Sequence, residues 1–271
     1  MTTTSTSSST MSVASHTSIG YAVRDVVTLA RRNLLALFRI PTAVVFAIIQ
    51  PVMFVLLFRY VFGGALASMV PGGYVNFLIP GILVQTTIFG AVGTAIGLAE
   101  DLQRGLIERF KALPMTRMAV LGGRTLADTL RNVLVLIIIT GVGFLVGFRP
   151  HGGFFSYIAA CLVMLIFAYC LSWGFAFVGL AAPNSETAQA MTFPLIFPLT
   201  FASTIFIALA FLPPWLRGFA NNQPVSETTN AVRALMNGTP AGNSVWVSLL
   251  WSIGLIAVLA PLAVNKFRQV A

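Results

Sequence analysis

Asn76–Ala99 (NFLIPGILVQTTIFGAVGTAIGLA) runs directly into Glu100–Lys111 (EDLQRGLIERFK). The first stretch carries no charge and the second carries six in twelve residues. The hydrocarbon layer of a bilayer is about 30 Å thick and a helix rises about 1.5 Å per residue, so ~20 apolar residues suffice to cross it. The chain therefore leaves an apolar solvent near residue 100 and enters a polar one.

Working outward, six stretches read as membrane-spanning helices, at about 41–63, 76–99, 121–148, 154–182, 190–212 and 244–265. The third is the least clean, because Arg124, Asp128 and Arg131 occupy its first part. These charges are expected at the interface, where long side chains can snorkel. Composition agrees: 57% hydrophobic and 8% charged residues make a 271-residue chain too apolar to cover itself in water. The net charge of +9 does not indicate nucleic acid, since the basic residues are scattered at the ends of apolar runs with no dense stripe or aromatic platform.

An even number of spans puts both termini on one side, and Lys plus Arg decide which. Arg24, Arg31, Arg32, Arg39, Arg104, Arg109, Lys111, Arg117, Arg124, Arg131, Lys266 and Arg268 fall on one side; Arg59, Arg149, Arg217 and Arg233 fall on the other. Twelve against four predicts cytoplasmic termini and a cytoplasmic 100–120 loop. Residues 1–18, rich in Ser and Thr, lack a signal peptide's apolar core and read as a disordered cytoplasmic tail. Residues 19–38 place Arg24, Thr28, Arg31 and Arg32 on one side and Val23, Val27, Ala30 and Leu34 on the other, as an amphipathic interface helix does.

The outward segment 213–243 opens with Pro213-Pro214-Trp215, and Ser226 to Met236 fits a short helix begun by Ser226. It is either an exposed loop or a segment that folds back into the protein. Pro194 and Pro198 mark a break or a kink in span five. Gly93 with Gly97 and Gly143 with Gly147 have the spacing that permits close helix approach in lipid.

Several chemistries are missing. No GxxxxGK[ST] phosphate loop occurs, so the chain is not expected to hydrolyse ATP. Cys161 and Cys170 are nine residues apart on one helix, about 13.5 Å along its axis and beyond disulfide reach. His16 and His151 have no ligand-like partners, and no catalytic, cofactor or metal residues are expected. Asp25, Glu100, Asp101, Glu108, Asp128, Glu186 and Glu227 all fall in flanks, loops or span ends, which argues against a proton-driven carrier.

Within residues 100–114, Leu102, Leu106, Phe110 and Leu113 recur at helical spacing, Glu100–Arg104 and Arg104–Glu108 form i,i+4 pairs, and Pro114 ends the pattern. The spacing predicts a short amphipathic surface helix, either solvated or docked on a partner. The run Asp101-Leu102-Gln103-Arg104-Gly105-Leu106-Ile107-Glu108-Arg109-Phe110-Lys111-Ala112-Leu113-Pro114-Met115-Thr116-Arg117, continuing through 121–128, resembles the signature loop of ABC-2 exporter permeases, in particular the daunorubicin-resistance drug-exporter branch. A second matching block covers 212–220, 222–225 and 231–235.

The resemblance implies an all-α integral membrane fold over residues 39–268: six spans, the interface helix, a cytoplasmic coupling helix and an outward re-entrant segment before the last span. It implies a non-catalytic permease that exports hydrophobic or amphipathic, drug-like compounds. Its partners would be two copies of a cytoplasmic ABC ATPase, which carries ATP and Mg, and a second permease chain, identical or paralogous. Asp101, Gln103, Arg104, Gly105, Glu108, Arg109, Lys111 and Pro114 would form the ATPase-coupling helix. Gln50, Gln85, Phe89, Thr200, Ser203, Thr204 and Phe206 are candidate substrate-pathway residues. Export of a lipid, polyketide or lipid-linked glycan, and an ion-coupled carrier without an ATPase, remain as alternatives.

Overall fold

The computed structural model describes Thr28 and residues 41–66, 73–106 and 117–270. The described residues are helical and contain no strand. Helix α1 (Pro41–Leu56) runs on through π-helical turns (Leu57–Phe62) into the short α2 (Gly63–Leu66). Then follow α3 (Tyr74–Gln103), α4 (Arg117–Val146), α5 (Gly153–Ala181), α6 (Ser185–Phe201), α7 (Pro214–Asn222), α8 (Pro224–Asn237) and α9 (Ser244–Val270). The interface-helix expectation for 19–38 lies outside the described residues apart from Thr28, which is helical.

α3 is the hub: α1, α4, α5, α6 and α8 all pack on it. Leu78, Ile79, Ile82, Leu83, Val84 and Ile88 are fully buried, so α3 is surrounded by protein along most of its apolar length. The outer helices instead show large apolar side chains to their surroundings. Leu145 of α4 is 89% exposed and Phe155 of α5 is 86% exposed, with Trp246, Leu250 and Ile253 of α9 also outward. A helix apolar on both faces needs a lipid solvent on one of them. α3, α4, α5 and α9 are long and apolar enough to cross a membrane, and the chain is a multi-pass membrane protein.

Among the described residues, these four of the six expected spans have the length and composition of a crossing helix. Over the first expected span, 41–63, the helix runs from Pro41 to Phe62, and its described apolar stretch is Ile48–Phe62. The fifth, expected at 190–212, starts earlier and stops sooner. α6 occupies Ser185–Phe201, and its 17 residues reach about 25 Å. Asn184 caps its start, its Oδ1 accepting from Thr187 N at 2.7 Å. Neither Pro194 nor Pro198 interrupts it; the helix ends three residues after Pro198.

Residues 202–208 form no helix, yet they are largely buried. Backbone in such a place survives only if protein groups satisfy it. Gln223 Nε2 donates to the Ala202 carbonyl. Ser226 Oγ accepts from Thr204 N at 3.1 Å, and Tyr74 Oη donates to the Phe206 carbonyl at 3.2 Å. Arg233 Nη2 donates to the Thr204 and Ile205 carbonyls at 2.9 and 3.4 Å. The rest of the guanidinium is also engaged, with Nε on the Phe77 carbonyl at 3.1 Å and the group 3.5 Å from the Phe77 ring centroid.

Within segment 213–243, α7 and residues 238–243 are largely exposed, whereas α8 folds back into the protein. α8 inserts Val225, Ser226, Thr228, Ala231, Val232 and Met236 among α3, α5 and α9, and all six are fully buried. Its helix starts at Pro224 rather than at Ser226, whose hydroxyl is committed to Thr204 instead of capping. At the other end of α8, His151 N and Gly152 N donate to the Met236 carbonyl at 3.0 Å. This ties α8 to the α4–α5 turn.

Gly93 and Gly97 do not serve the bare helix crossing expected of them: a Cβ at either would strike an arginine side chain of α4. The close backbone approach occurs elsewhere, where Gly179 of α5 lies on the Ala95 carbonyl of α3. Gly179→Val should therefore separate the two helices and cost about 1–3 kcal/mol. The check is thermal melting of the detergent-solubilised protein, expected about 2–4 °C lower per kcal/mol.

Candidate functional site

α1, α3, α4 and α6 enclose a cleft of about 340 Å³. α1 contributes Gln50 and Pro51; α3 contributes Thr86, Phe89, Gly90 and Gly93; α4 contributes Arg131, Asn132 and Val135; α6 contributes Gln189, Thr192, Phe193 and Ile196. Most of its wall is hydrocarbon and aromatic, and three amides and two hydroxyls are set into it. A small hollow beside it adds Phe54 and Gln85 to Gln50, Pro51, Thr86 and Phe89. Gln85 Nε2 is buried there with no hydrogen-bond partner among the described residues.

Of the candidate pathway residues, Gln50, Gln85 and Phe89 meet at this cleft and its hollow. Thr200, Ser203, Thr204 and Phe206 do not line it. They belong to the end of α6 and the break beyond it, and all four are buried. Ser203 Oγ donates to the Thr200 carbonyl at 2.5 Å, and Thr204 Oγ1 contacts Asn230 Oδ1 at 3.1 Å. Phe206 stacks on Phe58, with ring centroids 4.4 Å apart and planes 9° apart. Phe206 also lies 6.0 Å from Phe54, one wall of the small hollow.

Behind the cleft wall lies a charged cluster. Asp128, twelfth residue of α4, is 5% exposed. Its carboxylate accepts from Thr94 Oγ1 of α3 and sits 3.8 Å from Arg124 Nε and 3.4 Å from Arg131 Nη1. Arg124 continues to Asp101 at 3.5 Å and to the Gly93 carbonyl at 3.0 Å; Arg131 donates to the Gly90 carbonyl. These charges pair with one another and with the backbone of α3. The glycines of α3 leave room for guanidinium groups against its backbone, which a reading of α4 alone does not reveal. Asp128, in the first part of the third span, is buried among protein groups and neutralised by two arginines.

The expected 100–114 helix is divided. Glu100–Gln103 are the last residues of α3, and Gly105 follows in the left-handed region at φ 63°. Arg104 N and Gly105 N donate to the Glu100 and Leu102 carbonyls at 3.0 Å, the closure of a helix that ends at a glycine. Glu100 and Arg104 pair at 3.5 Å on the exposed surface. The helical register of α3 ends before Gly105. Glu108, Arg109, Lys111 and Pro114 lie outside the described residues.

Residues 24–237 match the ABC-2 type transporter family. The chain belongs to that family. It is 35% identical over 248 residues to the daunorubicin resistance ABC transporter permease protein DrrB1 of Streptomyces coeruleorubidus, covering 92% of this chain and 87% of that one. It is 26% identical over 226 residues to the probable doxorubicin resistance ABC transporter permease protein DrrC of Mycobacterium tuberculosis, covering 83% and 82%. The putative transport permease ycf38 of Porphyra purpurea is 25% identical over 220 residues, covering 80% and 75%. The ABC-2 match takes in every helix that lines the cleft, together with α7 and α8.

Sequence reasoning missed Asn132, Gln189 and Thr192 as cleft residues and the inward hydrogen bonding of Arg233. A usable signal existed for the charged cluster. Gly90, Gly93 and Gly97 are spaced by three and four, as are Arg124, Asp128 and Arg131 by four and three, so each set occupies one helix face. Truncating Arg233 should strip partners from the Phe77, Thr204 and Ile205 carbonyls. Each unsatisfied buried group costs about 1–3 kcal/mol, so Arg233→Ala should melt well below wild type while Arg149→Ala, in an exposed turn, changes little.

Proposed function

We propose that the chain is the permease subunit of an ABC exporter that moves hydrophobic or amphipathic, drug-like compounds out of the cell. The observation that carries this reading is the cleft, whose aromatic and aliphatic wall suits an apolar body and whose few amides suit scattered polar groups. The drug-resistance names of relatives from Streptomyces and Mycobacterium favour the same cargo over a lipid, polyketide or glycan. Energy would come from a separate cytoplasmic ABC ATPase in two copies, carrying ATP and Mg, bound to two permease chains. Both termini and the 100–120 loop would face that ATPase, as the twelve-to-four basic bias favours.

In mechanism, closure of the ATPase pair would push on the residues around 101–114 and bias the permease between arrangements of different access to the cleft. The helices beside the cleft have features that permit such change. α6 stops short at Phe201 and α1 passes into π-helical turns at Leu57. An ion-coupled carrier is disfavoured because the buried carboxylate Asp128 is already paired with two arginines.

Thr192→Trp, filling the cleft, should abolish efflux of a hydrophobic fluorescent compound from cells that co-express the ATPase, while membrane levels of the protein stay normal. Glu108→Lys should reduce export, whereas Glu227→Lys, on α8, leaves it unchanged. Wild-type efflux by both Thr192→Trp and Glu108→Lys would refute this reading. The purified permease alone should show no ATP turnover.

A further inference from the structure

Asp101, Arg124, Asp128 and Arg131 form an unbroken series from the end of α3 to the cleft. Its steps are 3.5 Å from Asp101 Oδ2 to Arg124 Nη1, 3.8 Å from Arg124 Nε to Asp128 Oδ2, and 3.4 Å from Asp128 Oδ1 to Arg131 Nη1. Two acids and two bases leave the series neutral. Its first member lies three residues before Arg104, where the surface turn begins. Its last member stands in the cleft wall beside Asn132.

The series is fitted to α3 as well as to itself. Arg124 donates to the Gly93 carbonyl at 3.0 Å and Arg131 to the Gly90 carbonyl, while Thr94 donates to Asp128. A Cβ at Gly97 would overlap the Arg124 guanidinium, and one at Gly93 would meet that of Arg131. Apolar side chains between two helices in lipid can slide with little loss, because lipid tails are as apolar as they are. An ion pair cannot slide part-way without leaving a charge unpaired in a low-dielectric place. Such a contact holds one register or jumps to another.

We propose that Arg124, Asp128 and Arg131 are positioning residues that make the first half of α4 move with α3, so that displacement of the turn at Arg104–Leu106 reaches the Arg131–Asn132 wall of the cleft. This rests on the proposed drive by an ATPase at the loop after residue 100. It adds the route by which that drive alters the site.

The test uses the assembled permease–ATPase complex in nanodiscs, with Cys161 and Cys170 replaced by serine and Gln189→Cys as a reporter in the cleft. The readout is the rate of maleimide labelling of the reporter, with and without ATP, Mg and vanadate. In the otherwise wild-type background the nucleotide should change the rate by about fivefold or more, the usual floor of an allosteric coupling. Asp128→Asn should bring that ratio close to one while ATPase binding and basal ATP turnover persist. Gly97→Ala, which only pushes the Arg124 guanidinium aside, should weaken it in a fully folded protein, and Arg131→Lys, which keeps the charge beside Asp128, should restore much of it relative to Arg131→Leu. A ratio unchanged in both Gly97→Ala and Arg131→Leu, with the ATPase bound and active, would overturn the relay and leave the exporter reading intact. Absence of any nucleotide effect in the wild-type background would overturn both.

Discussion

A polar group inside this protein has no water to turn to, and the arrangement around α3 follows from that constraint. Asp128 is tolerable because Arg124, Arg131 and Thr94 converge on it. Breaking such a buried pair by removing one partner costs about 3–5 kcal/mol, far more than an exposed pair contributes. The break at 202–208 obeys the same rule with backbone instead of charge. Gln223, Ser226, Arg233 and Tyr74 take up its carbonyls and amides. α3 supplies one side of both solutions, with glycines toward α4 and with Tyr74 and the Phe77 carbonyl toward the break.

The two solutions stand on either side of the cleft along α3. Arg131 and Asn132 form its wall on one side, and the Phe54, Phe58 and Phe206 stack adjoins its hollow on the other. Between them lie the amides and aromatic rings that suit an amphipathic cargo. The irregular helical segments, the π-helical turns of α1 and the short end of α6, lie beside a hub that is packed on most sides. A permease needs both qualities, a frame that holds its register and a wall that can move against it.

Much of the fold was legible because apolar length has one cheap explanation. The uncharged run 76–99 became α3 at Tyr74–Gln103, and 154–182 became α5 at Gly153–Ala181. Span five misled because apolar residues continue past Phe201 while the helix does not. Hydropathy reports the solvent, whereas the backbone ends where Gln223, Ser226 and Arg233, about twenty to thirty residues away, can replace its hydrogen bonds. The partners of Arg124 and Arg131 were hidden for a related reason. Snorkelling is what one helix alone suggests, whereas the glycine face of α3 supplies carbonyl partners that α4 by itself does not show. At the cleft, Gln50, Gln85 and Phe89 could be named from polarity within apolar spans, but Gln189 and Thr192 lay too near a predicted helix start to stand out. Gly105 was visible in the amphipathic segment, yet the period of its leucines gave no sign that it ends α3 in a left-handed turn.

The central claim is that ATP hydrolysis by a partner, not an ion gradient, moves an amphipathic compound through this permease. Inside-out vesicles carrying the permease with its ATPase, with proton and sodium gradients collapsed by ionophores, test it most directly through uptake of a hydrophobic fluorescent dye. The account predicts ATP-dependent uptake that persists without gradients and stops with vanadate or when the ATPase is omitted. Uptake that follows an imposed ion gradient and proceeds without the ATPase would contradict it.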